Sequence, residues 1–148
     1  MKKIAAVIFL VIAGILAIYF STGEDISEFN SIIIGDTKIE IKTAETPEER
    51  TLGLSGQKSL PHNRGLFFIY DQPDLYGIWM KEMNFPIDII WFDSDKKIVS
   101  ISKNAKPESF PEVFWPDFLA SYVLEVNAGF VDENGIKIGD NFGYFIQR

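Results

Sequence analysis

The sequence predicts a mainly β domain, an antiparallel β-sandwich or barrel with one or two short helices, preceded by an N-terminal transmembrane helix. Three observations predict it. Short runs of β-branched and aromatic residues recur at turn-spaced intervals after residue 30, the pattern of all-β domains. Aromatic residues make up 14% of the chain, and 13 of them are Phe, a type that suits pleated, half-buried surfaces. At the other end, an apolar run from Ile4 to Phe20 follows Lys2 and Lys3. As a helix that run spans roughly 25 Å, the short end of what crosses a bilayer.

The N-terminal run is longer and more uniformly apolar than a surface helix. Residues 1–22 therefore read as a signal anchor, with a cleaved signal peptide as the alternative. Ser21 and Gly23 are small, but no Ala-x-Ala site precedes a cut, and no Cys follows for lipid attachment. Lys2 and Lys3 lie before the run and Glu24, Asp25 and Glu28 after it. The positive-inside tendency then places the remainder outside the cytoplasm. The expected location is the cell membrane, single-pass, or the exterior if the signal is cleaved. Residues 23–30 are polar and acidic and read as a tether. Residues 31–148 form the β domain, large enough to fold without staples.

The elements follow in order. Ile32–Ile34 and Lys38–Lys42 flank Gly35-Asp36, a hairpin signal. Thr46-Pro47-Glu48-Glu49 is a helix start with a cap, a Pro at the first position and a capping box, and Gly53 is its stop. Leu66–Tyr70 reads as a strand, followed by turn chemistry at residues 71–74. Tyr76–Met80 and Ile87–Asp93 read as strands, with Pro86 at the entrance to the second. Ile98–Ser102 is a strand, residues 105–118 a long loop with three Pro, and Ser121–Ala128 a strand. Residues 129–134 suggest a helical turn closed by Gly135. Residues 136–140 and 142–146 suggest two last short strands.

Several linked motifs point to a family. Trp79-Met80-Lys81-x-Met83-x-Phe85-Pro86-Ile87-Asp88 resembles the domain of unknown function 192 family of bacteria and archaea. Thr46-Pro47-Glu48-Glu49-Arg50 with Gly53-Leu54 is similar to its opening helix, and Gly65-Leu66-x-Phe68 to its next strand. Residues 122–129 and Ile138-Gly139-Asp140 resemble its closing signatures. The resemblance covers roughly residues 31–146 and implies a compact, mostly antiparallel fold of sandwich or jelly-roll type. It implies no reaction, cofactor or ligand.

Composition excludes some chemistry. With no Cys, thiol catalysis and Cys-rich zinc sites are ruled out. The net charge is −7 and no basic stripe exists, so nucleic acid is not an expected partner. Met80, Met83 and the single His62 are too few for a copper site, and no cofactor or metal is expected. No nucleophile elbow, P-loop or calcium loop is complete.

Six residues are candidates for binding: Arg50, Trp79, Lys81, Asp88, Glu125 and Asn127. Asp88 lies in a strand with two apolar faces, so it should be buried and in need of a partner. Arg50, Arg64 and Lys81 are the cationic candidates, and backbone N–H groups are the alternative. Glu125 and Asn127 share a strand face, read either as a wet face or as the lining of a groove. Phe110, Phe114, Trp115 and Phe118 punctuate the long loop, as contact rings or as a cover for the barrel end. The leading functional reading is a binding or scaffold module at the cell envelope, tethered to the membrane through residues 4–20, with a glycan or a protein as partner. The alternative is a carboxylate-dependent hydrolase of envelope polymers built on Asp88 and Glu125.

Overall fold

The computed structural model describes residues 30–145. The expected anchor and all of the tether except Asn30 lie outside them. Among the described residues no helix is long and apolar enough to cross a membrane.

The described residues form nine strands and two short helices. They are β1 (Asn30–Ile34), β2 (Thr37–Ala44), α1 (Pro47–Leu52), β3 (Arg64–Asp74), β4 (Ile78–Trp79), β5 (Ile87–Phe92), β6 (Ile98–Ala105), β7 (Val113–Phe114), β8 (Ala120–Asn127), α2 (Phe130–Glu133) and β9 (Phe142–Phe145), with a 3-10 turn at Pro107–Ser109. Seven strands make one sheet in the order β6-β5-β8-β3-β2-β1-β9, and β4 and β7 make a separate two-stranded ribbon.

Local chemistry explains the first elements. Gly35, at φ 58°, turns the β1–β2 hairpin, a conformation that costs glycine little. Thr46 Oγ1 accepts the Glu49 N–H and the Glu49 carboxylate accepts the Thr46 N–H, so the capping box is complete. Those backbone bonds hold the Glu49 carboxyl below the usual carboxylate range. Gly53 ends α1 with φ 53°.

The expected, mostly antiparallel order holds with one exception. β2 and β3 pair in parallel, Glu40 opposite Arg64 through Ala44 opposite Phe68. A parallel pair needs a crossover, and residues 45–63, with α1, supply it. Three element boundaries also differ from expectation. β3 continues through the supposed turn at residues 71–74, because its pairing with β8 shifts register between Ile69 and Asp74 and so tolerates Pro73. Residues 136–140 form turns, not a strand. The long loop contains β7, which pairs with β4.

The sheet curls into a half-barrel whose two edge strands meet at one end. Lys97 bridges Asn141, the Ile98 N–H donates to Asp140 O at 2.8 Å, and the Phe142 N–H donates to Lys96 O at 3.0 Å. Inside sits a core of Ile32, Ile39, Phe67, Ile90, Phe92 and Leu124, among others. Phe142 closes it, edge-on to Phe67, Phe92 and Tyr122 at ring distances of 5.0–5.2 Å.

The opposite face of the sheet carries a second core. Leu66, Phe68, Ile89, Trp91 and Val123 are covered by Leu54 after α1 and by Ile78, Met80 and Phe114 of the ribbon region. Every residue of β5 is buried in consequence, as its two apolar faces predict.

Asp88 is on the inner face of β5 and fully buried. Its Oδ1 accepts the Asn104 N–H at 2.9 Å, and Oδ2 accepts the Val131 N–H at 3.0 Å. Among the described residues no cationic candidate pairs with it: Arg50 donates to the Ile69 carbonyl, Arg64 pairs with Glu40, and Lys81 lies over Trp79. Asn104 sits at φ 54° in a β6 bulge, where the ladder leaves an N–H unpaired. Val131 is in the first turn of α2, whose N-cap is Gly129 and has no side chain to offer. Asp88 thus completes both the bulge and the helix start. Replacing Asp88 with Ala should cost roughly 2–6 kcal/mol, at 1–3 per orphaned N–H, and Asp88→Asn should cost less. Urea unfolding would measure this, and a change in Asp88→Ala below about 0.5 kcal/mol, within ordinary surface scatter, would refute the assignment.

Candidate functional site

The outer layer does not seal the sheet completely. Between α1, the end of β3 and the start of the ribbon lies an open groove of about 630 Å³, lined by Arg50, Thr51, Tyr70, Gln72, Tyr76 and Trp79, together with Pro47, Asp71 and Gly77. That volume lies within the range of small-molecule sites. Beneath it is a more enclosed cavity of about 60 Å³. Arg50, Thr51, Tyr70, Gly77 and Trp79 line both spaces, so the groove and the cavity adjoin.

Glu125 lines the inner cavity. It projects from the outer face of β8, between Leu66 of β3 and Ile89 of β5, and is 4% exposed. Its Oε2 is buried with no hydrogen-bond partner among the described residues. A Cβ built on Gly53 would stand 4.0 Å from that oxygen, so the absent side chain keeps the space beside it open. Burial alone pushes the Glu125 carboxyl up to about 8, because a carboxylate there would lose its water without gaining a donor. At neutral pH the group is mainly the uncharged acid, which can donate a hydrogen bond.

The walls are held in place. Arg50 Nη1 donates to the carbonyls of Glu45 and, at 2.9 Å, Ile69. Its guanidinium lies 4.9 Å from the Tyr70 ring centroid, a cation–π contact. No described carboxylate forms an ion pair with it. Tyr70 and Tyr76 stack face to face. Burial raises the Tyr70 hydroxyl well above its ordinary value, with the Arg50 charge acting in the opposite sense. The Tyr76 hydroxyl donates to Gln72 O at 2.6 Å, and the Trp91 indole N–H donates to Tyr76 O at 2.8 Å. Trp79 is 44% exposed and meets Phe110 of the long loop edge-on at 6.2 Å.

The six candidates therefore part company. Arg50, Trp79 and Glu125 come together around the groove and cavity. Lys81 borders a neighbouring recess with Glu48, Leu52 and Glu82, its ammonium 5.7 Å from the Trp79 ring centroid. Asn127 donates to Leu60 O at 2.9 Å and ties the crossover to β8. Asp88 faces the inner core. Asp88 is opposite Val126 and Glu125 is opposite Ile89, and cross-strand partners share a face. The two carboxyls hence lie on opposite sides of the sheet, and the acid–base pair of the hydrolase reading does not form. Nor is Glu125 on a wet face, because α1 and the ribbon cover it.

Tyr70 and Tyr76 were not singled out from the sequence. Tyr70 had a signal, since Leu66, Phe68 and Tyr70 alternate onto one face. Tyr76 had none, because its place is set by long-range contacts.

Below pH 4.5 Glu125 is protonated in the folded and unfolded chain alike. Between there and about 8 the folded state binds the extra proton, so stability falls as pH rises, by at most about 1.4 kcal/mol per unit from this group. Urea midpoints at pH 5.5 and 8.5 should show that loss for the native chain and a smaller one for Glu125→Gln. Equal losses would refute the buried neutral acid.

Comparison with known proteins agrees with the motifs. The family described as Uncharacterized ACR, domain of unknown function 192, matches residues 31–144, and the chain belongs to it. Two of the solved structures that are similar to the chain show the fold. One is a Sinorhizobium meliloti 1021 protein described as a candidate transcription regulator, with TM-score 0.74, 26% identity, and coverage of 78% of this chain and 92% of that one. The other is a protein of unknown function from Novosphingobium aromaticivorans DSM 12444, with TM-score 0.74, 27% identity, and coverage of 80% and 88%. No curated protein matches the chain.

Proposed function

We propose that this member of the domain of unknown function 192 family is a saccharide-binding module at the cell envelope, held to the membrane through residues 4–20. The observation that carries the reading is the groove above Glu125, whose buried Oε2 has no partner among the described residues. Buried polar groups are normally paired, and one left open beside a cavity is a candidate for ligand contact. The lining has the mixture a sugar needs. Trp79 and Tyr76 offer aromatic faces, whose negative quadrupole attracts the polarised C–H groups of a pyranose. Arg50 and Gln72 offer polar contacts beside them. Exposed Trp115, whose ring lies against Gly77 of the groove wall, extends the apolar rim.

A nucleic-acid role, which the Sinorhizobium description would suggest, fits this chain poorly. Its net charge is −7, whereas phosphate backbones are bound through clustered Lys and Arg.

A bacterial-envelope glycan array probed with the full-length protein tests the reading. Capture of a defined set of saccharides is expected, with Trp79→Ala losing it and Ile138→Ala, in the turn that closes the barrel, retaining it. Absence of any saccharide signal, or capture unchanged in Trp79→Ala, would refute the proposal.

A further inference from the structure

We infer that the exposed rings at one end of the domain are a membrane-docking surface, and that the domain rests on the bilayer that holds its anchor with these rings in the head-group layer. The inference goes beyond the saccharide reading and rests only on its anchor, residues 4–20.

The rings adjoin along one strip. Phe110 of the long loop meets Trp79 edge-on at 6.2 Å. Trp79 pairs with Val113 across the ribbon. The Trp115 ring lies against Gly77, where an added Cβ would stand 2.9 Å from it. Asp74 pairs with Ala120, so Leu75 and Leu119 are the next positions outward, with Phe118 beside them. These six side chains are 44–65% exposed. Apolar residues exposed singly are ordinary, but a contiguous strip dominated by aromatic rings marks a contact surface.

The course of the chain indicates what covers it. β1 runs antiparallel to β2, and β2 runs parallel to β3. The chain therefore enters β1 at Asn30 from the side on which β3 ends at Asp74 and β8 begins at Ala120. That side bears the strip. Nine residues lie between Phe20, the last of the apolar run, and Asn30. Fully extended, they reach at most roughly 30–35 Å. A bilayer entered by residues 4–20 is then within reach of the strip, on the strip's own side of the domain.

The residue types fit a lipid interface entered by apolar contact. Trp suits the boundary between hydrocarbon and water, where its ring is buried and its N–H stays wet. Phe and Leu are the apolar side chains of surface-bound elements. The exposed charges beside them in the chain are mostly acidic, Asp74, Glu108, Glu112 and Asp117 against Lys106. These limit the depth of insertion and oppose anionic lipid, so the attraction comes from the apolar side chains. Trp79 and Trp115 also border the groove, whose mouth then opens at the head-group level.

The test places the full-length protein in phosphatidylcholine vesicles brominated in the upper acyl chain and reads tryptophan fluorescence, which bromine quenches only at close range. Trp91 is fully buried and supplies an unquenched background. The native chain should be quenched, and Trp115→Phe, which removes a reporter but keeps a ring, should be quenched less. When Phe118→Ser and Leu119→Ser are combined, the ratio of docked to undocked domain should drop on the order of tenfold per side chain lost. Ile138→Ser, which alters an exposed apolar residue of another turn, should leave quenching unchanged. Adding phosphatidylglycerol should not strengthen it, and quenching that requires this lipid would overturn the apolar attraction. A chain that floats with the vesicles yet shows no quenching, or quenching unchanged in the double variant, would overturn the docking and leave the anchor standing. A chain that does not float with them would overturn both. Disulfide-linked pairs of Leu119→Cys in place of quenching would assign the strip to a second copy and overturn the docking.

Discussion

One sheet supports two cores, and the structure depends on that constraint. The central strands β5 and β8 are buried on both faces. Their inner side chains fill the half-barrel and their outer ones demand a second layer, because apolar surface on this scale is not left in water. The inner core is closed by the curl of the sheet itself, with Phe142 as its plug. No such closure exists outside. The outer core relies on a short helix, a two-stranded ribbon and the loops between them, and loops cover a surface less completely than a packed sheet does. The groove over Glu125 is the gap in that cover.

The two buried carboxyls show how much environment decides. Asp88 and Glu125 are on adjacent strands, one residue out of step in register, and that single step sends them to opposite faces. Asp88 meets two backbone N–H groups that local irregularities had left unpaired, so it completes the fold. Glu125 meets Leu66, Ile89 and an open cavity, so its cost is met by keeping its proton. Asp88 is closed to a ligand because it is sealed in the inner core on backbone N–H groups, whereas Glu125 lines a cavity and its Oε2 has no partner among the described residues.

What was legible in the sequence divides along the same line between local and distant chemistry. The capping box at Thr46 and Glu49, the turn at Gly35 and the double burial of β5 are written in neighbouring residues, and the structure has them all. The parallel pairing of β2 with β3 is not, because it depends on where residues 45–63 lead the chain. Pro73 looked like turn chemistry, yet a register shift against β8 makes room for it within a strand. Glu125 looked half-wet because its own strand alternates, and only the arrival of α1 and the ribbon buries it. Arg50, Trp79 and Glu125 are candidates from separate segments, and nothing in their spacing foretells that they line adjoining spaces.

The groove is also rigidly built, which bears on how it would bind. Arg50 is fixed by two carbonyls and by the Tyr70 ring. Tyr76 is held at both ends, by its hydroxyl on Gln72 and by the Trp91 indole on its carbonyl. Trp91 in turn is fully buried in the outer core of the sheet. The aromatic wall is thereby fastened to the most buried strand of the domain. A site whose side chains are already ordered loses little rotamer entropy when it is filled, and a weak, shallow ligand such as a sugar gains most from that saving. The same fastening explains why the site sits at the end of β3. There the outer cover, the crossover helix and the central strands meet, so its residues can be both exposed to a ligand and anchored in a core.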